Sequence, residues 1–128
     1  AADGIAPFDF DFKGIGAFPE MSRPRVIWVD LEEPTGALIE LQERLTIALL
    51  DVGFDPEQRP FKPHVTLGRV RRTDRRADYA AALTTAAEEI DLSAGTQFAD
   101  RIVLFSSELG RGDGPSYVEM ADAPLVEP

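Results

Sequence analysis

Cysteine is absent from this 128-residue chain, and histidine and tryptophan each occur once. Without thiols the chain forms no disulfide and offers no thiolate to a metal, and a single imidazole excludes a histidine-rich metal site. No apolar run approaches the roughly 20 residues that a membrane-spanning helix needs. These absences fit a cytoplasmic protein.

Positive charge is also scarce: 13 basic side chains face 23 acidic ones, and the formal net charge is −10 at pH 7. Broad attachment to a nucleic-acid backbone needs a basic surface. Any phosphate chemistry must therefore use a small local cluster of positive charge. One such cluster consists of Arg69, Arg71, Arg72, Arg75 and Arg76. For most of these arginines the alternative is a solvated loop and helix start.

At 44% hydrophobic residues, the chain is long enough for one domain with a core, spanning residues 1–128, and too short for two. Hydrophobic periodicity and turn residues predict strands at 8–13 (reaching 17 if the strand passes two glycines), 25–31, around residue 64, 101–109 and 116–123. They predict helices at 34–52 and from 73 or 74 to a point before 95. The order β-β-α-β-α-β-β predicts an α+β domain with a largely antiparallel sheet and helices packed on one side.

Several apolar residues are expected in the core. Trp28 and Phe105 lie in predicted strands, where packing is a better explanation than stacking on a nucleobase. The first predicted helix carries an apolar face whose members recur three or four residues apart, namely Leu38, Leu41, Leu45, Ala48 and Val52. Gly53 is expected to end this helix.

The single histidine, His64, lies in the run FKPHVTLGR at residues 61–69. In a strand, residues two apart point the same way, so His64 and Thr66 share one face while Val65 and Leu67 supply apolar packing on the other. An imidazole beside a hydroxyl suits a phosphate, because both groups can donate to its oxygens. The alternative is a structural histidine in a half-buried strand.

Four stretches occur in a characteristic order: GAFP at 16–19, RPRVIWV at 23–29, RPFKPHVTLGR at 59–69, and IVLFSSEL at 102–109 followed by GPSY at 114–117. Together they resemble the RNA 2',3'-cyclic phosphodiesterases of the two-histidine (2H) phosphoesterase superfamily, also called bacterial and archaeal 2'-5' RNA ligases. The resemblance covers nearly the whole chain.

The resemblance implies a bilobal α+β fold that hydrolyses 2',3'-cyclic phosphate ends of RNA to 2'-phosphates, with no metal or other cofactor and no membrane partner. By resemblance, His64 is the general base, and Thr66 and Arg69 bind the phosphate. Strict alternation puts Arg69 on the side of Leu67. It reaches the site only if Gly68 marks a bulge or the strand ends there.

The family pattern has two H-x-[TS]-x motifs, and this chain has one histidine. By resemblance, we expect the chain to be the C-terminal portion of a longer 2H phosphoesterase, with open surfaces that favour self-association. Alone it is expected to be nearly inactive, since one imidazole cannot serve both proton transfers. The alternative function is a module that binds a nucleotide or an RNA end without turning it over.

Overall fold

The computed structural model describes residues 1–71, 79–90, 95–109 and 114–128. Within these ranges the strands are β1 (Phe8–Glu20), β2 (Arg23–Glu32), β3 (His64–Arg69), β4 (Thr96–Ala99), β5 (Arg101–Leu109) and β6 (Pro115–Pro124). The helices are α1 (Ala37–Asp51) and α2 (Tyr79–Glu89). The predicted α+β class with antiparallel strand pairs is confirmed. The predicted start of the second helix lies outside the described residues.

The chain divides into two compact units, each assembled from separate segments. The first unit comprises Ala1–Phe8, Thr35–Arg59 and Phe98–Pro128, and the second comprises Asp9–Pro34 and Pro60–Gln97. The single-domain organisation expected from the chain length stays a prediction.

Among the described residues, strands β3, β2, β1 and β4 form a four-stranded sheet in that order, with β3 at one edge. Strands β1 and β2 are antiparallel, and Glu20 pairs with Arg23 across a two-residue turn. The stretch between residues 18 and 24 therefore belongs to a tight hairpin. The predicted strands leave residues 18–24 as a connection, but in the structure its two prolines lie within the ends of β1 and β2.

Strand β4 was not predicted, because its sequence, TQFA, has no hydrophobic alternation. Contacts with β1 create it: the Phe12 amide donates to the Gly95 carbonyl at 3.0 Å. The Thr96 hydroxyl also donates to an Asp11 carboxylate oxygen at 2.6 Å.

The second unit buries its apolar side chains around the centre of the sheet. Ala17, Trp28, Val29 and Leu83 are all buried, and α2 contacts β2. The prediction that Trp28 is a core residue is therefore confirmed.

The prediction that Val65 and Leu67 supply apolar packing on one face of β3 is wrong. Val65 is 43% exposed and Leu67 is 58% exposed. The reason is the position of β3 at the sheet edge, because the helix that covers this sheet contacts β2.

The first unit has a small core formed by residues near both ends of the chain and on α1. Its buried members are Ala2, Ile5, Phe8, Leu41 and Leu125. Backbone hydrogen bonds hold the chain ends together, with the Gly4 amide donating to the Val126 carbonyl at 2.9 Å.

Helix α1 ends as predicted, but only part of its apolar face is covered. Gly53 adopts a φ of +95°, which suits glycine, and the Phe54 amide donates to the Leu49 carbonyl at 3.0 Å. Leu41 is buried near the start of the helix, whereas Val52 at its end is 69% exposed. The spacing identified the face, but not how much of it would be covered.

Strands β5 and β6 pair only with each other among the described residues and form a two-stranded antiparallel sheet. Phe105 on β5 is 52% exposed, so the prediction that it is a core residue is wrong. A two-stranded sheet has too little surface to bury both of its faces.

Candidate functional site

The pairing of β3 with β2 places the two residues of the H-x-T motif on one face of the sheet. His64 lies opposite Asp30, and Thr66 lies opposite Trp28. Paired residues share a face, as do residues two apart along a strand. The imidazole and the hydroxyl therefore leave the sheet on the same side, about 7 Å apart along the strand. Both residues are exposed.

Arg69 joins this face through a β-bulge. Gly68 pairs with Ile27 and Thr66 pairs with Trp28, which leaves Leu67 as an extra residue on β3. The bulge resets the alternation, so that Arg69 lies opposite Val26, two residues from Trp28 on β2. From the sequence, Arg69 reaches this face only if Gly68 marks a bulge or the strand ends there. The structure has the bulge one residue earlier, at Leu67. We call the sheet surface that carries His64, Thr66 and Arg69 the site face.

Two aromatic rings contact the imidazole on the site face. The Phe18 ring stands edge-on to the His64 ring, with centroids 5.1 Å apart and planes at 87°. The Trp28 ring lies 6.0 Å from the His64 centroid at 56°. Phe18 comes from β1 and Trp28 from β2, so the sheet brings both rings to a histidine that is distant in sequence.

A backbone contact determines which nitrogen of His64 carries the proton in the neutral ring. The Nδ1 atom lies 2.6 Å from the Lys62 carbonyl oxygen. A carbonyl only accepts hydrogen bonds, so Nδ1 is the donor in this contact. In the neutral imidazole Nε2 is then the basic nitrogen, available to take a proton.

Lys62 adds a positive charge beside the site face that sequence reasoning missed. Its Nζ atom lies 4.6 Å from the centroid of the Trp28 ring, a cation–π geometry. Its position two residues before the histidine was the available signal. Of the predicted arginine cluster, Arg71 is described and exposed, while Arg72, Arg75 and Arg76 lie outside the described residues.

Two kinds of feature are missing from the described part of the chain. No group of three or more histidine, cysteine, aspartate or glutamate side chains there could hold a metal ion. Neither described helix combines the length and apolar character needed to cross a bilayer.

The α+β fold thus presents an imidazole, a hydroxyl and a guanidinium on one exposed sheet face. The chain belongs to the 2'-5' RNA ligase superfamily, whose sequence model matches residues 1–106. The resemblance inferred from the four sequence stretches is thereby confirmed.

Individual relatives agree with this membership. The chain is 34% identical over 110 residues to an RNA 2',3'-cyclic phosphodiesterase of Aeropyrum pernix, covering 86% of this chain and 60% of the relative. It is 33% identical over 117 residues to an RNA 2',3'-cyclic phosphodiesterase of Methanothermobacter thermautotrophicus, covering 91% and 60%. The chain thus spans about 60% of the length of these two relatives.

A solved structure is similar in fold. The crystal structure of TT0787 of Thermus thermophilus superimposes with a TM-score of 0.74 at 27% sequence identity. The match covers 98% of this chain and 64% of the Thermus chain.

Proposed function

We propose that this protein hydrolyses 2',3'-cyclic phosphate ends of RNA to 2'-phosphates, with His64 as the general base. The observation that carries this proposal is the placement of His64, Thr66 and Arg69 on one exposed sheet face. Relatives named RNA 2',3'-cyclic phosphodiesterases support the same reaction. They favour it over a module that only binds RNA ends.

In this mechanism, Nε2 of His64 removes a proton from water as the water oxygen attacks phosphorus. Nδ1 stays bonded to the Lys62 carbonyl, so the ring becomes an imidazolium without turning. A positioned base of this kind typically contributes a rate factor of about 10²–10⁴.

Thr66 and Arg69 bind the phosphate as its negative charge is redistributed. The Thr66 hydroxyl donates to one non-bridging oxygen, and the Arg69 guanidinium donates to another. Donors fixed in place before the reaction stabilise the transition state without reorganising.

The bond from phosphorus to the 3'-oxygen then breaks, and the 3'-oxygen takes up a proton to become a hydroxyl. The product is a 2'-phosphate. Because the chain has one histidine, a group other than a second histidine of this chain must deliver that proton. When the 5'-hydroxyl of a second RNA end attacks phosphorus in place of water, the P–O3' bond breaks in the same way and a 2'-5' linkage forms.

The proposed partners are RNA ends with a 2',3'-cyclic phosphate, or related nucleotides, met in the cytoplasm.

We also propose that the chain associates with a second copy through β5 and β6. This two-stranded sheet exposes Leu104, Phe105, Tyr117 and Met120, and exposed apolar strands favour association. Sedimentation should reveal a dimer that Phe105→Ser weakens. A chain that is monomeric at all concentrations would contradict this partner.

The test of the activity uses protein expressed from its full reading frame and an end-labelled oligonucleotide with a 2',3'-cyclic phosphate, in EDTA. We expect a 2'-phosphate product, and His64→Gln should slow its formation by about 10²–10⁴-fold. Val65→Gln is the matched control, because it places the same amide one position along β3 on the other face.

Unchanged turnover in His64→Gln would rule out His64 as the general base. Binding of the oligonucleotide without any product would favour the binding module instead.

A further inference from the structure

The Trp28 side chain fills a space on the sheet that is free because its neighbour on β1 is a glycine. Gly16 lies directly opposite it on β1. A Cβ built on Gly16 would be 2.7 Å from Cζ3 of the indole, with Cη2 and Cζ2 closer still. The six-membered ring of Trp28 therefore lies against the Gly16 backbone, and any other residue there would displace it. Trp28 is only 6% exposed.

The Trp28 indole is one of three rings that contact one another. Phe18 and Trp28 have centroids 5.1 Å apart, and both rings contact His64 at the distances given above. All three separations fall within the range of favourable ring contacts. We call Phe18, Trp28 and His64 the aromatic triad.

His64 is an exposed residue that is nevertheless restrained at two points. The Lys62 carbonyl binds Nδ1, and the rings of Phe18 and Trp28 contact the imidazole itself. A hydrogen bond alone still permits the ring to rock about it. Contacts with two rings at different angles restrict that rocking.

We propose that Gly16, Trp28 and Phe18 are positioning residues for His64: the indole, seated on Gly16, and the Phe18 ring hold the imidazole plane in the orientation that proton transfer needs. The inference rests on the proposed role of His64 as the base. Misplacing a reacting group by about 1 Å can cost a factor of about 10² in rate. A small movement of the Phe18 and Trp28 rings is therefore expected to slow the reaction.

The central test compares two alanine substitutions on β1. Gly16→Ala adds a methyl group where the Trp28 ring lies, whereas a Cβ on Gly14 meets nothing within 4 Å. Gly14→Ala is therefore a matched control for the loss of a strand glycine. In protein expressed from its full reading frame, we expect Gly16→Ala to lower kcat by roughly 10- to 100-fold with little change in KM. Gly14→Ala should leave both constants near the wild-type values.

A second measurement does not depend on substrate. The 128-residue chain has one histidine, so its imidazole proton signals in an NMR spectrum are unambiguous. The rings of Phe18 and Trp28 should shift those signals away from the positions of a free histidine. Gly16→Ala should move them back toward those positions, and Gly14→Ala should not.

Phe18→Leu covers the case in which Gly16→Ala does not fold, because it removes a ring while keeping an apolar side chain. It should reduce kcat and the NMR shift together. Trp28→Phe, which keeps a ring, should retain more of both than Trp28→Leu.

The inference is overturned if folded Gly16→Ala and Phe18→Leu proteins keep the wild-type imidazole shifts and kcat. If the 128-residue chain shows shifted imidazole signals but protein expressed from the full reading frame shows no turnover, the triad stands and only the proposed function is refuted.

Discussion

Thr66 and Arg69 share one face of the sheet although an odd number of positions separates them. Leu67 stands unpaired between them and resets the alternation of β3. Bulges commonly re-aim a side chain at a functional site. Here the bulge adds a guanidinium to a face that already carries an imidazole and a hydroxyl, in a chain whose net charge is −10.

Replacing Arg69 by methionine should raise KM for a cyclic-phosphate oligonucleotide by roughly 10- to 100-fold. This corresponds to the ~1.5–3 kcal/mol typical of a hydrogen bond to a charged group. Arg71→Met is the control, because Arg71 lies beyond the end of β3. Steady-state kinetics at two salt concentrations would check this, and equal effects of the two substitutions would contradict it.

Replacing Thr66 by valine removes the hydroxyl and keeps the shape of the side chain. We expect kcat/KM to fall about tenfold or more, since a phosphate oxygen loses its donor, while Thr66→Ser retains most of the rate. Thr84→Val on α2 is a suitable control, because that hydroxyl bonds to the Ala80 carbonyl of its own helix. A serine variant as slow as the valine variant would argue against hydrogen bonding.

Lys62→Met should weaken the binding of a 2'-phosphorylated nucleotide and reduce its salt dependence. The expected loss is a few-fold, because solvent screens an exposed ammonium. Lys13, the only other lysine, forms an exposed ion pair with Glu32 at 3.4 Å, so Lys13→Met is the control. Calorimetric titration of both variants would decide the matter. Identical affinities would exclude a binding role for Lys62.

The 128-residue chain on its own should hydrolyse RNA cyclic phosphates only very slowly. Without a second proton carrier it forfeits a factor of about 10²–10⁴. A diester with nitrophenol leaving groups needs no such proton, so the chain should act on it more readily, and His64→Gln should suppress that reaction. Full activity of the 128-residue chain on RNA would contradict the requirement for a second carrier.

Leu41→Ala should lower the free energy of unfolding by about 2–5 kcal/mol, as expected for a leucine removed from a core. Leu50→Ala on the same helix should change it little, because Leu50 is exposed. Denaturant unfolding of both proteins provides the comparison. Equal losses would mean that the exposed part of α1 is covered in solution.

Much of the fold follows from local pattern. Alternating and β-branched residues predicted the positions of β1, β2, β3, β5 and β6, and helical spacing predicted α1 within three residues at its start. Strand β4 escaped prediction because its four residues are held by β1 and carry no signal of their own. The local pattern also failed for Phe105, because its burial depends on which elements pack against β5.

For the candidate site, the amino-acid sequence alone determined that one imidazole and one hydroxyl stand two residues apart in a strand. It thereby determined that they share a face, because side-chain alternation is a property of the strand itself. The tertiary structure decided that Arg69 joins them and that Phe18 and Trp28 contact His64. Those relationships depend on how three strands are paired and where one of them bulges, and contacts between residues distant in sequence determine both.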